Sequence, residues 1–230
     1  MKPPSSSMLR LRYYRNFENR GFTLVEILTV LAITAIMASL IVPAITSLGK
    51  SNALNVSADQ VVNLANLGRE TSMSKNAMTA LIVVTDPSID GADRVFGLME
   101  LDPRSDGSQP QSTDWKQISK WESISSGIIS DPNALSFNKS TDVAGTAGVP
   151  TPSFPPIVYN GRTVSSYSYV IFLPGGNLLS GTSPQVQLVE GNVASGSVTY
   201  TRPLAGGTGP ANYCSLTIIT STGRVKVDRP

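Results

Sequence analysis

The stretch Arg20-Gly21-Phe22-Thr23-Leu24-Val25-Glu26-Ile27-Leu28-Thr29-Val30-Leu31-Ala32-Ile33-Thr34-Ala35-Ile36-Met37-Ala38-Ser39-Leu40-Ile41-Val42-Pro43-Ala44-Ile45-Thr46-Ser47-Leu48-Gly49-Lys50 decides how the rest of the chain is read. No charge lies between Glu26 and Lys50. A helix over this run would be about 40 Å long at about 1.5 Å per residue, enough to cross the ~30 Å hydrocarbon layer of a bilayer. On its N-terminal side Lys2, Arg10, Arg12, Arg15 and Arg20 stand against Glu18 alone, a local net of about +4 at pH 7. A cationic flank there keeps the N-terminus in the cytoplasm and sends Lys50 and the residues beyond it across the membrane. A secretory signal has an apolar stretch of only about 7–15 residues before a small-x-small cleavage site, so this run is too long for one. A plain single-span anchor fits the length. It leaves Glu26 unexplained, because a carboxylate near the start of a lone span costs on the order of 2–3 kcal/mol and usually has a partner.

The heptapeptide Arg20-Gly21-Phe22-Thr23-Leu24-Val25-Glu26 resembles the processing site of the type IV prepilin family. The resemblance implies cleavage by prepilin peptidase between Gly21 and Phe22, on the cytoplasmic side, followed by N-methylation of Phe22. It implies an assembly role for Glu26, the fifth residue of the mature chain, and for Pro43, which sits where many pilins have a helix-bending proline. Val25 stands where the family often has Ile or Leu. The physical chemistry of Glu26 suits that role. Its carboxylate would lie about one helical turn from the new amine on Phe22, at a helix end that already favours an anion. Between subunits, an incoming amine would neutralise the Glu26 of its neighbour in a low-dielectric bundle. Breaking such a pair costs about 3–5 kcal/mol, so it would set axial register more than net affinity. The small residues Ala32, Ala35, Ala38 and Ser39 permit close helix approach in lipid.

Composition removes most other functions. Across 230 residues, 18 Lys and Arg against 16 Asp and Glu give a net charge of +2, too little for a dense basic face, and no nucleic-acid partner is expected. There is no histidine, which excludes His-based triads and His-ligated metals. The single cysteine, Cys214, excludes an intrachain disulfide and a thiolate cluster. No carboxylates fall in a recognisable acid–base pattern, so the protein is not expected to be an enzyme and no cofactor is expected.

Past the apolar run, Leu54, Ala58, Val61, Ala65 and Gly68 recur at three- and four-residue steps, with Asn52, Asn55, Asp59, Asn63 and Arg69 between them. That pattern continues the same helix, now amphipathic, to about Lys75. Pro43 cannot donate to the Ser39 carbonyl and predicts a bend or local unwinding. The domains expected are a leader over 1–21, a transmembrane half-helix over 22–48, an amphipathic half-helix over 49–78 and an exported head over 79–230.

From Thr79 the chain reads as strands and turns. Residues 80–85 and 94–101 predict a hairpin, joined by the turn-rich 86–93. Residues 115–122 alternate and predict a third strand, with Trp115 and Trp121 on one face as core. Residues 140–156, rich in Gly, Pro and Thr, predict a surface loop. Residues 167–173 predict a strand ending at Pro174-Gly175-Gly176, with short strands at 185–189 and 198–201 and a terminal hairpin over 213–227. The fold expected is α+β: a long N-terminal helix packed on a mostly antiparallel β head. The Trp-containing strand, Val170-Ile171-Phe172-Leu173-Pro174-Gly175-Gly176 and Thr222-Gly223-Arg224-Val225 together resemble the minor pseudopilins of type II secretion and their minor type IV pilin relatives (the GspH/FimT-like group). Verru_Chthon cassette proteins share the same plan. Major pilins usually close a C-terminal loop with a disulfide, and Cys214 has no partner for one.

Cys214 shares a strand face with Leu216 and Ile218, has no cation beside it in sequence, and is expected to be buried and inert. Asp86, Asp90, Asp93, Asp102 and Asp106 lie on turns and are calcium candidates by donor type, without the spacing of an EF-hand; no metal site is assigned. The resulting expectation is a structural subunit, of the minor kind, of a type IV pilus or type II secretion pseudopilus, held in the bacterial inner membrane with its head periplasmic or extracytoplasmic and filament-associated after assembly. Its partners would be prepilin peptidase, other pilin or pseudopilin subunits, the inner-membrane assembly platform and membrane lipid. The rival is a membrane-anchored extracytoplasmic binding domain that never polymerises.

Overall fold

The computed structural model describes residues 22–102, 109–142, 148–194, 197–206 and 209–229, with the backbone alone over 40–51. The chain divides into two units, residues 1–46 and 47–230. Helix α1 (Leu24–Lys75) enters both. In the second unit its apolar steps do what their spacing predicts: Leu54, Ala58, Val61, Ala65 and Gly68 are buried, and Leu64 joins them. The helix stops where Asn76 takes a left-handed conformation (φ 52°) and Ala77 N–H donates to Ser72 O (3.1 Å), the pairing of a Schellman motif. Lys75, in the last turn, pairs with buried Glu100 at 2.7 Å.

The strands are β1 (Met78–Val84), β2 (Val95–Leu101), β3 (Trp115–Gln117), β4 (Glu122–Ser123), β5 (Ile128–Ser130), β6 (Asn138–Lys139), β7 (Val158–Tyr159), β8 (Arg162–Thr163), β9 (Tyr167–Phe172), β10 (Gln185–Ala194), β11 (Ser197–Tyr200), β12 (Tyr213–Ile218) and β13 (Val225–Asp228). Every pairing among them is antiparallel. One sheet runs β3-β2-β1-β9-β6, with β4 also on β2; a second runs β11-β10-β12-β13, with β5 on β10. The pair β7-β8 stands apart, turning at Asn160 and Gly161, both at positive φ. The fold is thus α+β, as expected.

β1 is buried on both faces. Leu81 and Val83 join the helix residues, Phe96, Leu98 and Phe172, together with Leu188, Leu216 and Ile218 of the second sheet, in one core. Ala80, Ile82 and Val84 face a second core built with Met99, Trp115, Ile157 and Ile171. Two-sided burial is why this strand reads as an unbroken apolar run. Thr79, the polar exception, donates its hydroxyl to Gly68 O of the helix at 2.6 Å.

Two expectations need correction. The strand over 115–122 is broken: β3 ends at Gln117, Ile118 N–H still donates to Leu98 O, and the Ser119 hydroxyl accepts from Leu98 N–H (2.9 Å), which takes the place of a ladder partner. Both tryptophans nevertheless pack in the second core, and a Cβ on Gly97 would come within 2.5 Å of the Trp121 ring. The stretch 140–156 is not simply a surface loop. Of its described residues, Phe154 stacks against Trp115 (centroids 4.6 Å) and Tyr169 (5.0 Å), and Trp115 Nε1 donates to Pro152 O. Its aromatic content finds the outer face of β1 and β9, a contact that local turn composition does not announce.

Candidate assembly site

The first turn of α1 is closed by its own side chains. Thr23 N–H and the Thr23 hydroxyl both donate to Glu26 Oε2 (2.9 and 3.0 Å), and Glu26 N–H donates back to Thr23 Oγ1 (3.2 Å). This is a reciprocal capping box, which satisfies two of the amides that a helix start leaves bare. Sequence reasoning passes over Thr23 as a functional residue, although Thr-x-x-Glu ahead of an apolar run is the pattern that marks it. Glu26 is exposed, and so are Phe22 (83%) and Leu24 (77%). Downstream, Thr29, Thr34 and Ser39 turn their hydroxyls onto the preceding turn, with Thr29 Oγ1 donating to Val25 O at 2.7 Å and Ser39 Oγ to Ile36 O at 2.7 Å. The polar side chains are thereby satisfied within the helix, leaving an apolar exterior.

Gly21 lies outside the described residues. Helical backbone runs through position 43 without interruption, so the local unwinding expected at Pro43 is absent; one missing N–H does not unravel a helix whose other bonds remain. Among the described residues no helix is long and apolar enough to cross a membrane. The described side chains of the uncharged run end at Ser39, so a membrane span rests on the sequence of residues 22–48.

The acidic candidates are dispersed into separate tasks. Asp86 is buried and accepts from the amides and hydroxyls of Ser165 and Ser88, which hold its carboxyl well below the usual range. Asp90 is exposed, and Asp102 pairs with Lys116. Asp93 is buried, and burial together with the charge of Asp131 pushes its carboxyl up to about 6. Asp106 lies outside the described residues. Among those described, no three His, Cys, Asp or Glu side chains gather as metal ligands.

The two short motifs that carried the second resemblance meet in space. A Cβ on Gly223 (φ 63°) would lie 2.1 Å from Gly176 O, and one on Gly176 (φ 78°) would lie 2.7 Å from Met73 Sδ. Arg69 Nε donates to Thr222 O at 2.6 Å. The terminal hairpin and the turn after β9 are thus clasped to the last turns of α1. Cys214 is free and buried, and burial pushes its thiol up. The cation absent from its sequence neighbourhood is supplied by Arg229, which opposes that shift without reversing it.

Residues 17–42 match the family model described as the prokaryotic N-terminal methylation motif. The match takes in Gly21, Phe22 and Glu26 and covers the start of the chain alone. Among solved structures it is similar to the minor pseudopilin EpsH of the type 2 secretion system of Vibrio cholerae, at 10% identity and TM-score 0.40, over 77% of this chain and 97% of that one. It is also similar to the type IV minor pilin FimU of Pseudomonas aeruginosa, at 10% identity and TM-score 0.40, over 79% and 95%. No curated protein sequence matches the chain.

Proposed function

We propose that this chain is a prepilin-like structural subunit, cut between Gly21 and Phe22 by prepilin peptidase and methylated on Phe22. It then packs through its N-terminal helix into a type IV pilus or type II secretion pseudopilus, as a minor subunit. The observation that carries this reading is the methylation motif over residues 17–42, in which Glu26 falls at the fifth position after the cleavage point. In this reading residues 1–21 are a cytoplasmic leader, 22–48 the membrane-held half-helix, 49–78 the amphipathic half and 79–230 the head on the far side of the inner membrane. Glu26 meets the Phe22 amine of a neighbouring subunit, and Pro43 lets the helix adapt as subunits pack. The head works by contact with sibling subunits and the assembly platform, not by catalysis.

A preformed capping box matters here. Before assembly the Glu26 carboxylate is held by Thr23, so it needs no protein partner in the lone subunit. On assembly the amine of a neighbour offers a full opposite charge, which a neutral hydroxyl cannot match. The lone cysteine supports the minor-subunit reading, because a disulfide-closed loop of the major-pilin kind needs two.

The test is the intact mass and N-terminal residue of the protein recovered from cells that carry the processing peptidase. A chain beginning at methylated Phe22 is expected. One that retains Met1, or begins elsewhere, overturns the reading.

A further inference from the structure

Asp93 occupies the seam between the two sheets. Its N–H donates to Val84 O at the end of β1 (2.7 Å), and its carbonyl accepts from Ser130 N–H at the end of β5 (2.7 Å). A left-handed backbone (φ 62°) makes that double reach possible. One residue thus hooks the sheet of β1 to the sheet of β10. Its side chain is 3% exposed, and its Oδ1 is buried with no hydrogen-bond partner. Asp131, also buried, comes directly after Ser130 and sets its negative charge against Asp93.

Of the surrounding charged and titratable groups, most are engaged or turned outward, while Arg94 Nε and Glu190 Oε2 are buried without a hydrogen-bond partner. On the β1–β2 connection, Asp86 is held by Ser88 and Ser165, Asp90 is exposed, and Arg94 keeps a buried Nε with no acceptor. From the other sheet, Tyr200 donates its hydroxyl to Asp131 Oδ2 (2.8 Å), and Asn133 N–H donates to Asp131 Oδ1 (3.0 Å). Glu190 takes Asn212 Nδ2 on Oε1 (2.9 Å), with Arg202 Nε 4.0 Å from Oε2. Asp131 is therefore well supplied with donors while Asp93 has none for Oδ1, which makes Asp93 the member of the pair that would keep a proton.

We propose that Asp93, buried at the seam beside Asp131, fastens the two sheets when its carboxyl holds a proton and loosens them when that proton is lost. The device lies in the head and is independent of processing or polymerisation. With the Asp93 carboxyl at about 6 when folded, against an ordinary 3.8, its contribution is fully present below the ordinary value and is lost as pH rises through 6. Between pH 8 and pH 5 this one group should raise the folding constant about tenfold.

The test is urea unfolding of the full chain in detergent at pH 5 and pH 8, for wild type, Asp93→Asn and Asp131→Asn, with EDTA or with calcium. Asn tolerates the positive φ at position 93, so Asp93→Asn should fold. The wild type should gain about tenfold in folding constant from pH 8 to pH 5 beyond any change in Asp93→Asn, and Asp93→Asn should be at least as stable as wild type at pH 8. In Asp131→Asn the wild-type transition should move to lower pH, since the opposing charge is gone. Should Asp131→Asn fail to fold, Tyr200→Phe removes the donor to Asp131 and should move the transition to higher pH. Parallel pH dependence of wild type and Asp93→Asn would overturn the proposal. So would a gain at pH 8 that calcium gives to wild type and not to Asp93→Asn, because a divalent cation would then be the occupant.

Discussion

The two halves of α1 are both rich in apolar residues, yet they end in opposite circumstances. Leu24 is 77% exposed, whereas Leu54 is 4% exposed. Over residues 22–39 apolar side chains encircle the helix; Leu24, Val25, Ile27, Leu28, Val30 and Leu31 leave no polar face. Over 52–72 Leu54, Ala58, Val61, Leu64 and Ala65 line one buried side, and Asp59, Asn63 and Glu70, with Val56 and Leu67, stay exposed on the other. The lesson is that apolar content alone says only that burial is wanted. Angular distribution says who supplies it: the chain's own sheets for a striped helix, lipid or other helices for an encircled one.

The sharpest way to break this comparison is Glu26→Val. It leaves an encircling apolar surface intact and removes the single acid. If the first half is an assembly surface with a register point, sheared-filament fractions should lose the protein entirely while the intact mass still shows cleavage before Phe22. A plain anchor would tolerate the change, so unaltered assembly would favour the non-polymerising rival. Next in size is a paired truncation. Leu64→Ala opens a cavity in the core that the helix shares with the sheets and should cost about 2–5 kcal/mol of head stability; Ile36→Ala should leave the urea midpoint of the head where it is. Equal losses in both would erase the distinction between the halves. The smallest effect is expected from Thr23→Ala, about 1 kcal/mol of local helix stability through loss of the cap. Amide exchange in the first turn should quicken, with no change in exchange at Leu81 or Phe172.

The methylation motif, the cationic flank, the uncharged run and the amphipathic stripe can all be read from order and spacing, since each is a property of neighbouring residues. The terminal hairpin and the strands at 80–84, 95–101 and 167–172 are legible for the same reason. The clasp of Gly176, Gly223 and Arg69 is not. Pro174-Gly175-Gly176 and Thr222-Gly223-Arg224 each read as a turn, and neither carries a mark that the two would touch. The cap at Thr23 is legible in principle, but its Thr-x-x-Glu pattern is hidden inside a longer motif. Phe154 sits in a stretch whose Gly and Pro content speaks for a loop, and its destination depends on aromatic residues far along the chain.

Local order along the chain was sufficient for the character of the N-terminal helix and for the α+β class, because periodicity and charge act over a turn or a strand pair. Only the folded arrangement decided which segments would cover the two faces of β1 and that Asp93 would join two sheets with one oxygen left unpartnered beside Asp131. Those outcomes come from pairings between residues far apart in sequence, where desolvation and charge depend on what the other segment brings.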